Sequence, residues 1–524
     1  MVYLLTIRGS AEWRLCTGAV SVVITESATG TVRTFWPGLE DPQIEETADS
    51  ADGMEVPVRA VLPPEAWEAL TGTDPSGWTA EIAEWTPGTD WRARTVRVDG
   101  RIDQPVYATV HDPVEFSVIE NVWEDRSLFP PPGQQAGSST WPVSGSTVFP
   151  AESEGMWYPW VFGCPGYVYD SDTFTDYYGW PVVLVEIDAS TGNNFDTGSR
   201  DAAVLIAGHV CGFSSVKLYN RTTGLSATVA TTSTTDLLGN VVTIASVPGT
   251  DLAISSGDEL WASAAVITGS GVAADPGKAM RGAGQVVRWL LEHSTIRFDR
   301  GRLSLLARLD RFKVDFYVNE PVSAWAIIQD TILANGVIPA FWRRSSWGYY
   351  LSVQPFDTVA PLLQIRDEDG WERDGALTCS SGQDVVTDAT IVYAEDKAQG
   401  ANLRKLTYSA RPQSGANVNP YMASAYAAIK ARKAMEVQAP GVQDPATARL
   451  ALDLLVRRRS TIVRSGAYVC PRTGTGAEVG MVVAVTDSGV NLSARLCWIA
   501  GVEVSTTETR IMVETLPDLQ RSAS

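Results

Sequence analysis

Short runs of alternating apolar residues, closed by Gly, Pro, Ser and Thr turns, fill the first half of this 524-residue chain and return at its end. A period of two puts successive side chains on opposite faces of a strand, so these stretches read as β-sheet. Val20, Val22, Val23 and Ile24, then residues 31–35, flank a Ser-Ala-Thr-Gly turn, which predicts a hairpin. Residues 92–101 alternate around Val96 and Val98, and residues 106–110 and 114–119 continue the pattern. One short helix is expected over 64–70, with proline early as helix starts prefer. Residues 128–155, with three prolines at 130–132 and then Gly, Ser, Thr and Gln, read as a linker. Residues 156–270 form a second β region, with strands expected at 182–187, 203–207, 216–219 and 241–244.

From residue 279 the texture changes. Val286, Val287, Leu290 and Leu291 recur at helical spacing. Residues 322–335 predict a helix, with Pro321 at its start, Trp325, Ile328 and Ile332 on one face, and Gly336 as its stop. A strand is expected at 349–353. Asn419-Pro420 caps a helix expected over 421–437. Asp444-Pro445 caps one over 446–459, whose Ala448, Leu452 and Leu455 face is expected to pack on the C-terminal β module. Strands return at 481–485, 494–499, 503–505 and 509–516. No internal repeat is visible. The fold class is therefore mainly β and multidomain, with barrel- or sandwich-like β modules, an α+β core and a few helices. The division reads as an N-terminal β domain (1–127), a linker (128–155), a second β domain (156–270), the α+β core (271–375), a mixed segment with two helices (376–475) and a C-terminal β module (476–524).

Charge is unevenly spread. Residues 1–280 carry a net −23 and residues 281–524 a net +3. A phosphate backbone would be repelled by the first half, which argues against nucleic-acid binding there. Residues 1–9 lack a basic start and a long apolar stretch, so no signal peptide is expected. Residues 202–213 and 260–274 are too short and too rich in Gly, Ser and Thr to span a bilayer. A soluble protein made in a cytoplasm is the expectation, with no membrane anchor.

The search for chemistry returns little. Cys16, Cys164, Cys211, Cys379, Cys470 and Cys497 form no CxxC pair and read as buried thiols. His111, His209 and His293 are the three histidines, and none lies at ligand spacing from another His or Cys, so no metal is expected. No Gly-x-Ser-x-Gly elbow accompanies them. His209 sits in an apolar run and reads as a core residue rather than a base. Gly277-Lys278 resembles a phosphate loop, but the spacing is one residue too long and Ala279 stands where Ser or Thr must hold magnesium. Asp170, Asp172 and Asp176 resemble the start of a calcium loop without its glycine and glutamate. Arg457, Arg458 and Arg459 suit the negative end of a helix dipole. Trp157, Tyr158, Trp160, Phe162, Tyr167, Tyr169, Phe174, Tyr177, Tyr178 and Trp180 form a dense aromatic cluster. Core or subunit packing is the first reading of that cluster and a sugar platform the second. No catalytic, cofactor-binding or metal residue is assigned.

Organisation is more distinctive than chemistry. Gly100-Arg101-Ile102, the phrase Asp112-Pro113-Val114-Glu115-Phe116-Ser117 and residues 125–131 resemble the end of the first β domain of baseplate hub, or tail-tip, proteins. Those proteins belong to long-tailed, siphovirus-like bacteriophages and gene transfer agents. Tyr158-Pro159-Trp160-Val161-Phe162-Gly163 is similar to the Pro-x-Val-x-Gly phrase that opens the next domain, and residues 203–224 fit its middle. Residues 286–291, 308–316 and 321–333 resemble the hub core. Gly480-Met481-Val482-Val483 to Thr486-Asp487, with residues 499–504, resemble the C-terminal module. The resemblance implies a virion structural protein, assembled in the host cytoplasm and placed at the tail tip. It implies a homotrimer that joins the tail tube and distal tail protein to the central fibre or receptor-binding proteins, near the tape measure protein. DNA would pass through it without specific binding. It carries over no catalytic residue and no cofactor. Some tail-tip proteins hold an iron–sulfur centre in a cysteine cluster, and this chain has no such cluster. The alternative reading is a carbohydrate-binding or carbohydrate-degrading protein of the tail tip or cell surface.

Overall fold

The computed structural model describes the chain except residues 1, 10, 43, 48–54, 73–77, 107–108, 110–111, 121–126, 144–146, 167–177, 189–201, 256, 268–279, 346–347, 354–359, 381–384, 399–400, 431, 473–474, 506 and 517–524. The architecture is mainly β, in several sheets with a few helices. The first sheet has eight strands in the order Val22–Thr25, Val32–Pro37, Glu12–Cys16, Val2–Arg8, Thr79–Trp85, Thr95–Val106, Val114–Glu120, Glu55–Ala60. Alternation explains its packing: along Glu55–Ala60 the residues Val56, Val58 and Ala60 are buried while Glu55, Pro57 and Arg59 face water. Tyr3, Leu5, Ile7, Ile82, Val98 and Phe116 share the core beneath it. The expected helix is present over Pro64–Gly72, and Ala66 and Leu70 seal that core.

A second eight-stranded sheet runs from Thr147–Val148 at one edge to Trp180–Pro181 at the other. Residues 128–155 were expected to link the two β regions, and instead they pack. Trp141 is wholly buried, and its indole Nε1 donates to the Tyr158 hydroxyl at 2.9 Å. Leu128–Phe129 pairs with Val322–Ser323, so the prolines shape a folded segment.

The α+β core holds the helix Ala283–Glu292, whose Val286, Val287, Leu290 and Leu291 are all buried. The helix expected over 322–335 starts later and changes pitch. Val322–Ser323 is strand, the Ser323 hydroxyl caps the amide of Ala326 at 3.1 Å, and Ile327–Ile332 is π-helical. Asn335 and Gly336 end it with positive φ. The hairpin Ala340–Ser345 with Gly348–Val353 follows.

Two further expectations are corrected. The helix capped by Asn419 spans only Pro420–Ile429, because Lys430 turns left-handed and Ala434–Gln438 pairs in parallel with Asp388–Asp396. The helix Pro445–Arg459 buries Thr447, Ala448, Ala451, Leu452 and Val456, with Leu455 only partly buried. That face packs on the strand Asp388–Asp396 of a four-stranded sheet and not on the C-terminal module.

The C-terminal sheet is assembled from distant pieces. Its order is Leu363–Arg366, Val482–Asp487, Leu492–Val504, Thr509–Thr515, Arg464–Cys470, Glu372–Cys379. The strands expected at 494–499 and 503–505 are one strand, with a register shift between Ile499 and Gly501. Ile44–Thr47, from the N-terminal part of the chain, pairs antiparallel with the second half of that strand, Ile44 opposite Val504. Among the described residues no helix is long and apolar enough to cross a membrane.

Candidate functional site: a buried joint between modules

The strand Trp160–Phe162, which follows Tyr158 and Pro159, pairs antiparallel with Phe316–Val318 of the core. Gly163 then turns with φ +69°, and a Cβ there would collide with the Val314 carbonyl and the Asp315 side chain. The turn delivers the Cys164 amide to Asp315 Oδ1 at 2.7 Å. Two residues on, the Gly166 amide donates to Gln443 Oε1 at 2.9 Å, and the Asp315 amide donates to the Gly441 carbonyl at 2.8 Å. The Lys313 amide donates to the Thr447 hydroxyl at 2.9 Å, while its ammonium lies 3.8 Å from Asp444 Oδ2. Asp444 in turn caps the helix Pro445–Arg459 through the Thr447 amide and hydroxyl. One polar seam thus ties residues 160–166, 313–318 and 441–447 together.

Asp315 is wholly buried, and burial pushes its carboxyl up to about 6 against the opposing pull of the Arg281 guanidinium 3.9 Å away. Its carboxylate accepts the Cys164 main-chain amide and faces the Arg281 guanidinium. Its chemistry is that of a structural acceptor satisfying a buried N–H.

The aromatic cluster lines the same joint. Phe162 stacks on Phe316 with centroids 5.0 Å apart, and Trp160 lies 5.1 Å from Phe129 and 5.4 Å from Trp289. Tyr158, Trp160, Phe162 and Trp180 are buried, and Trp157 and Tyr178 are half-buried. The four buried rings are core and unavailable to a sugar platform, while Trp157 and Tyr178 keep part of their surface. Tyr167, Tyr169, Phe174 and Tyr177 lie outside the described residues, as do Asp170, Asp172 and Asp176, the Gly277-Lys278 loop and His111.

His209 packs 4.9 Å from Trp160. Its Nε2 lies 3.1 Å from the Val161 amide nitrogen and 3.0 Å from the Val161 carbonyl, and its Nδ1 lies 3.0 Å from the Val210 carbonyl. Burial lowers its pKa, so it is a satisfied imidazole. His293 stacks on Trp289 at 4.2 Å and bonds its carbonyl. Among the described residues no group of three or more His, Cys, Asp or Glu is arranged to hold a metal. The six cysteines are free thiols. Burial of all six was expected, yet Cys211 is half-buried and Cys379 is exposed, because it ends the edge strand Glu372–Cys379. The arginine run does more than face water: the Arg457 guanidinium lies 5.5 Å from the Tyr421 ring and that of Arg458 lies 5.0 Å from Trp498.

The sequence phrase ending in Gly163 pointed at this joint, but nothing in the sequence singled out Asp315 or Gln443 as its acceptors. No protein-family profile matches the chain, and no curated protein matches it. Solved structures do. The chain is similar to the tail protein from Neisseria meningitidis MC58 at 9% identity and a TM-score of 0.38, over 98% of this chain and 96% of that one. It is similar to the 43 kDa tail protein of prophage MuSo2 from Shewanella oneidensis at 10% identity and a TM-score of 0.38, over 98% and 99%. A chain of the native gene transfer agent virion is similar at 13% identity and a TM-score of 0.19, over 50% and 78%. At these TM-scores none of the three carries an argument.

Proposed function

We propose that this chain is a structural protein of a bacteriophage tail, a baseplate hub at the tail tip with no enzymatic activity. Copies of it form a ring, a homotrimer, which joins the distal tail protein to the central fibre or receptor-binding proteins and lets DNA pass. The observation that carries the reading is the interlocking of modules. Ile44–Thr47 completes the C-terminal sheet, and the Asp315 seam locks three further segments, so the chain is braced as one mechanical unit. Its polar seam pairs the acceptors Asp315, Gln443 and Thr447 with backbone amides.

Two more features support assembly. On the N-terminal hairpin, Val20, Val23, Val32 and Trp36 are 73, 60, 59 and 56% exposed. Exposed large apolar residues gathered on one hairpin suit a contact surface. The net −23 on residues 1–280 suits a channel wall that a DNA duplex slides past without sticking. The test is imaging of tail particles together with native mass measurement. A ring of this chain at the tail tip is the expected result, and a lone copy in the assembled tip, or its absence from the tail, overturns the reading.

A further inference from the structure

Where the α+β core meets the C-terminal sheet, a small pocket gathers positive charge. It encloses about 170 Å³, and its wall includes Arg302, Arg308, Arg343, Tyr350, Ser352 and Glu478. Three arginines against one glutamate make this wall cationic in a chain whose net charge is −20. Arg302 and Arg308 come from the 3-10 helix Arg300–Leu309, and Arg343 and Ser352 from the hairpin Ala340–Ser345 with Gly348–Val353. Glu478 precedes the strand Val482–Asp487.

The one carboxylate is shared. Arg343 Nη1 donates to Glu478 Oε2 at 3.3 Å, while Arg302 Nη2 lies 3.9 Å from Glu478 Oε1, beyond hydrogen-bond reach. The Arg308 guanidinium has no ion pair or hydrogen bond among the described residues. The buried Tyr350 ring lies 5.2 Å from the Arg302 guanidinium and 5.4 Å from that of Arg343, which holds both in place. Only 6% of the Arg343 side chain is exposed, so an anion beside it acts through little water. The Ser352 hydroxyl has no hydrogen-bond partner among the described residues. It faces Gly480, at φ +84°, where a Cβ would come within 3.0 Å of Ser352 Oγ. The bare glycine leaves that hydroxyl uncovered.

We infer that this pocket binds a free tetrahedral oxyanion of the phosphate class. Guanidinium groups donate paired N–H bonds to such oxygens, and a serine hydroxyl adds another donor. Three like charges around one small space repel one another, and a dianion among them reverses the sign of that interaction. Size narrows the class. The volume equals that of a few waters at about 30 Å³ each, whereas drug-sized ligands occupy about 300–1,000 Å³. Bound there, the anion touches side chains of the core and the segment that leads into the C-terminal sheet, so it ties the two together. The site does not depend on the ring reading.

The test uses the full-length chain. Isothermal titration with inorganic phosphate, at an ionic strength held constant by sodium chloride, should show one site per chain, and sulfate should compete for it. Arg308→Ala should weaken phosphate binding at least about tenfold, equal to ~1.4 kcal/mol. In chloride it should melt like the wild type, since Arg308 is exposed and has no bond to lose. Arg300→Ala, on the same helix but outside the pocket wall, should bind phosphate like the wild type. Phosphate and sulfate raise the melting temperature of proteins in general by exclusion from their surface, so the quantity to read is the extra rise of the wild type over Arg308→Ala. Absence of that extra rise, or an Arg308→Ala chain that binds phosphate unchanged, overturns the site. Acetate binding as tightly as phosphate overturns it too, because the pocket would then suit a protein carboxylate. So does a short oligonucleotide that binds more tightly than phosphate at equal phosphate concentration, because the pocket would then belong to a nucleic-acid backbone.

Discussion

The Tyr3 hydroxyl donates to the Val504 carbonyl at 2.9 Å, joining the two ends of the chain across 501 residues of sequence. Tyr3 is wholly buried in the first sheet, and Val504 belongs to the strand that Ile44–Thr47 completes. Replacing Tyr3 with Phe keeps the ring and removes this bond together with the longer one to Glu84 Oε1 at 3.3 Å. The expected loss is about 1–2 kcal/mol in denaturant titration, with the unpaired carbonyl as its cause. Unchanged stability would show that the bond does not brace the two sheets.

Asp315 predicts a pH dependence. Its carboxyl titrates at about 6 in the folded chain, against about 3.9 in an unfolded one. A raised folded pKa means that the folded chain binds the proton more tightly. Its contribution to stability is therefore full below the unfolded value and lost as pH rises through about 6. Asp315→Asn fixes the neutral form and can still accept the Cys164 amide. Relative to the wild type, the variant should gain roughly 2–3 kcal/mol more at pH 7.5 than at pH 4. Parallel melting curves for the two proteins across that range would refute the assignment.

Gly163 and Gly224 both have positive φ, +69° and +74°, but only Gly163 has neighbours within reach of a Cβ. Gly224→Ala should cost ~1 kcal/mol of backbone strain. Gly163→Ala should cost upwards of ~2 kcal/mol, because strain is joined by collision with the Val314 carbonyl. Thermal melts of the two variants, ranked the other way, would dissociate Gly163 from the joint.

Leu452 is wholly buried against the strand Asp388–Asp396, so Leu452→Ala should cost roughly 2–5 kcal/mol. Arg458 is exposed and its guanidinium lies over the Trp498 ring, so Arg458→Ala should cost about 0.5–1 kcal/mol. Equal melting of the two variants would mean that this helix faces the other way.

Thiol labelling separates the cysteines. Cys379 is exposed, whereas burial pushes the Cys211 thiol up to about 11, that of Cys497 up to about 12, and that of Cys164 upward as well. Mild alkylation at pH 8 should label Cys379 rapidly and leave the buried thiols intact. Fast labelling of Cys164 would contradict the sealed joint.

What the sequence disclosed was local. The hairpin Val22–Thr25 with Val32–Pro37 and the helix Pro64–Gly72 follow from alternation and turn chemistry within thirty residues. The partner of Ile44–Thr47 was illegible, since alternation fixes which face of a strand is buried but not which distant strand it meets. The Ala-rich run after Pro420 has helix propensity past Ile429, and parallel pairing of Ala434–Gln438 overrode it. Pro130 to Pro132 hid the burial of Trp141 behind a linker signature. At the joint, the Gly163 phrase was visible. Asp315 was not, because nothing in its local sequence sets it apart from the other 60 acidic residues and its burial arises only from the tertiary fold.

The strand Ile44–Thr47 is synthesised about 460 residues before its partner around Val504. At about 5–20 residues per second the gap is on the order of 20–90 s. Throughout it the first sheet lacks its tie to the C-terminal one, and an unpaired strand is a template for the wrong neighbour. In a polysome many nascent copies stand side by side in that condition. Emergence of the strand around Val504 is therefore the step at which the first sheet becomes safe from the wrong neighbour.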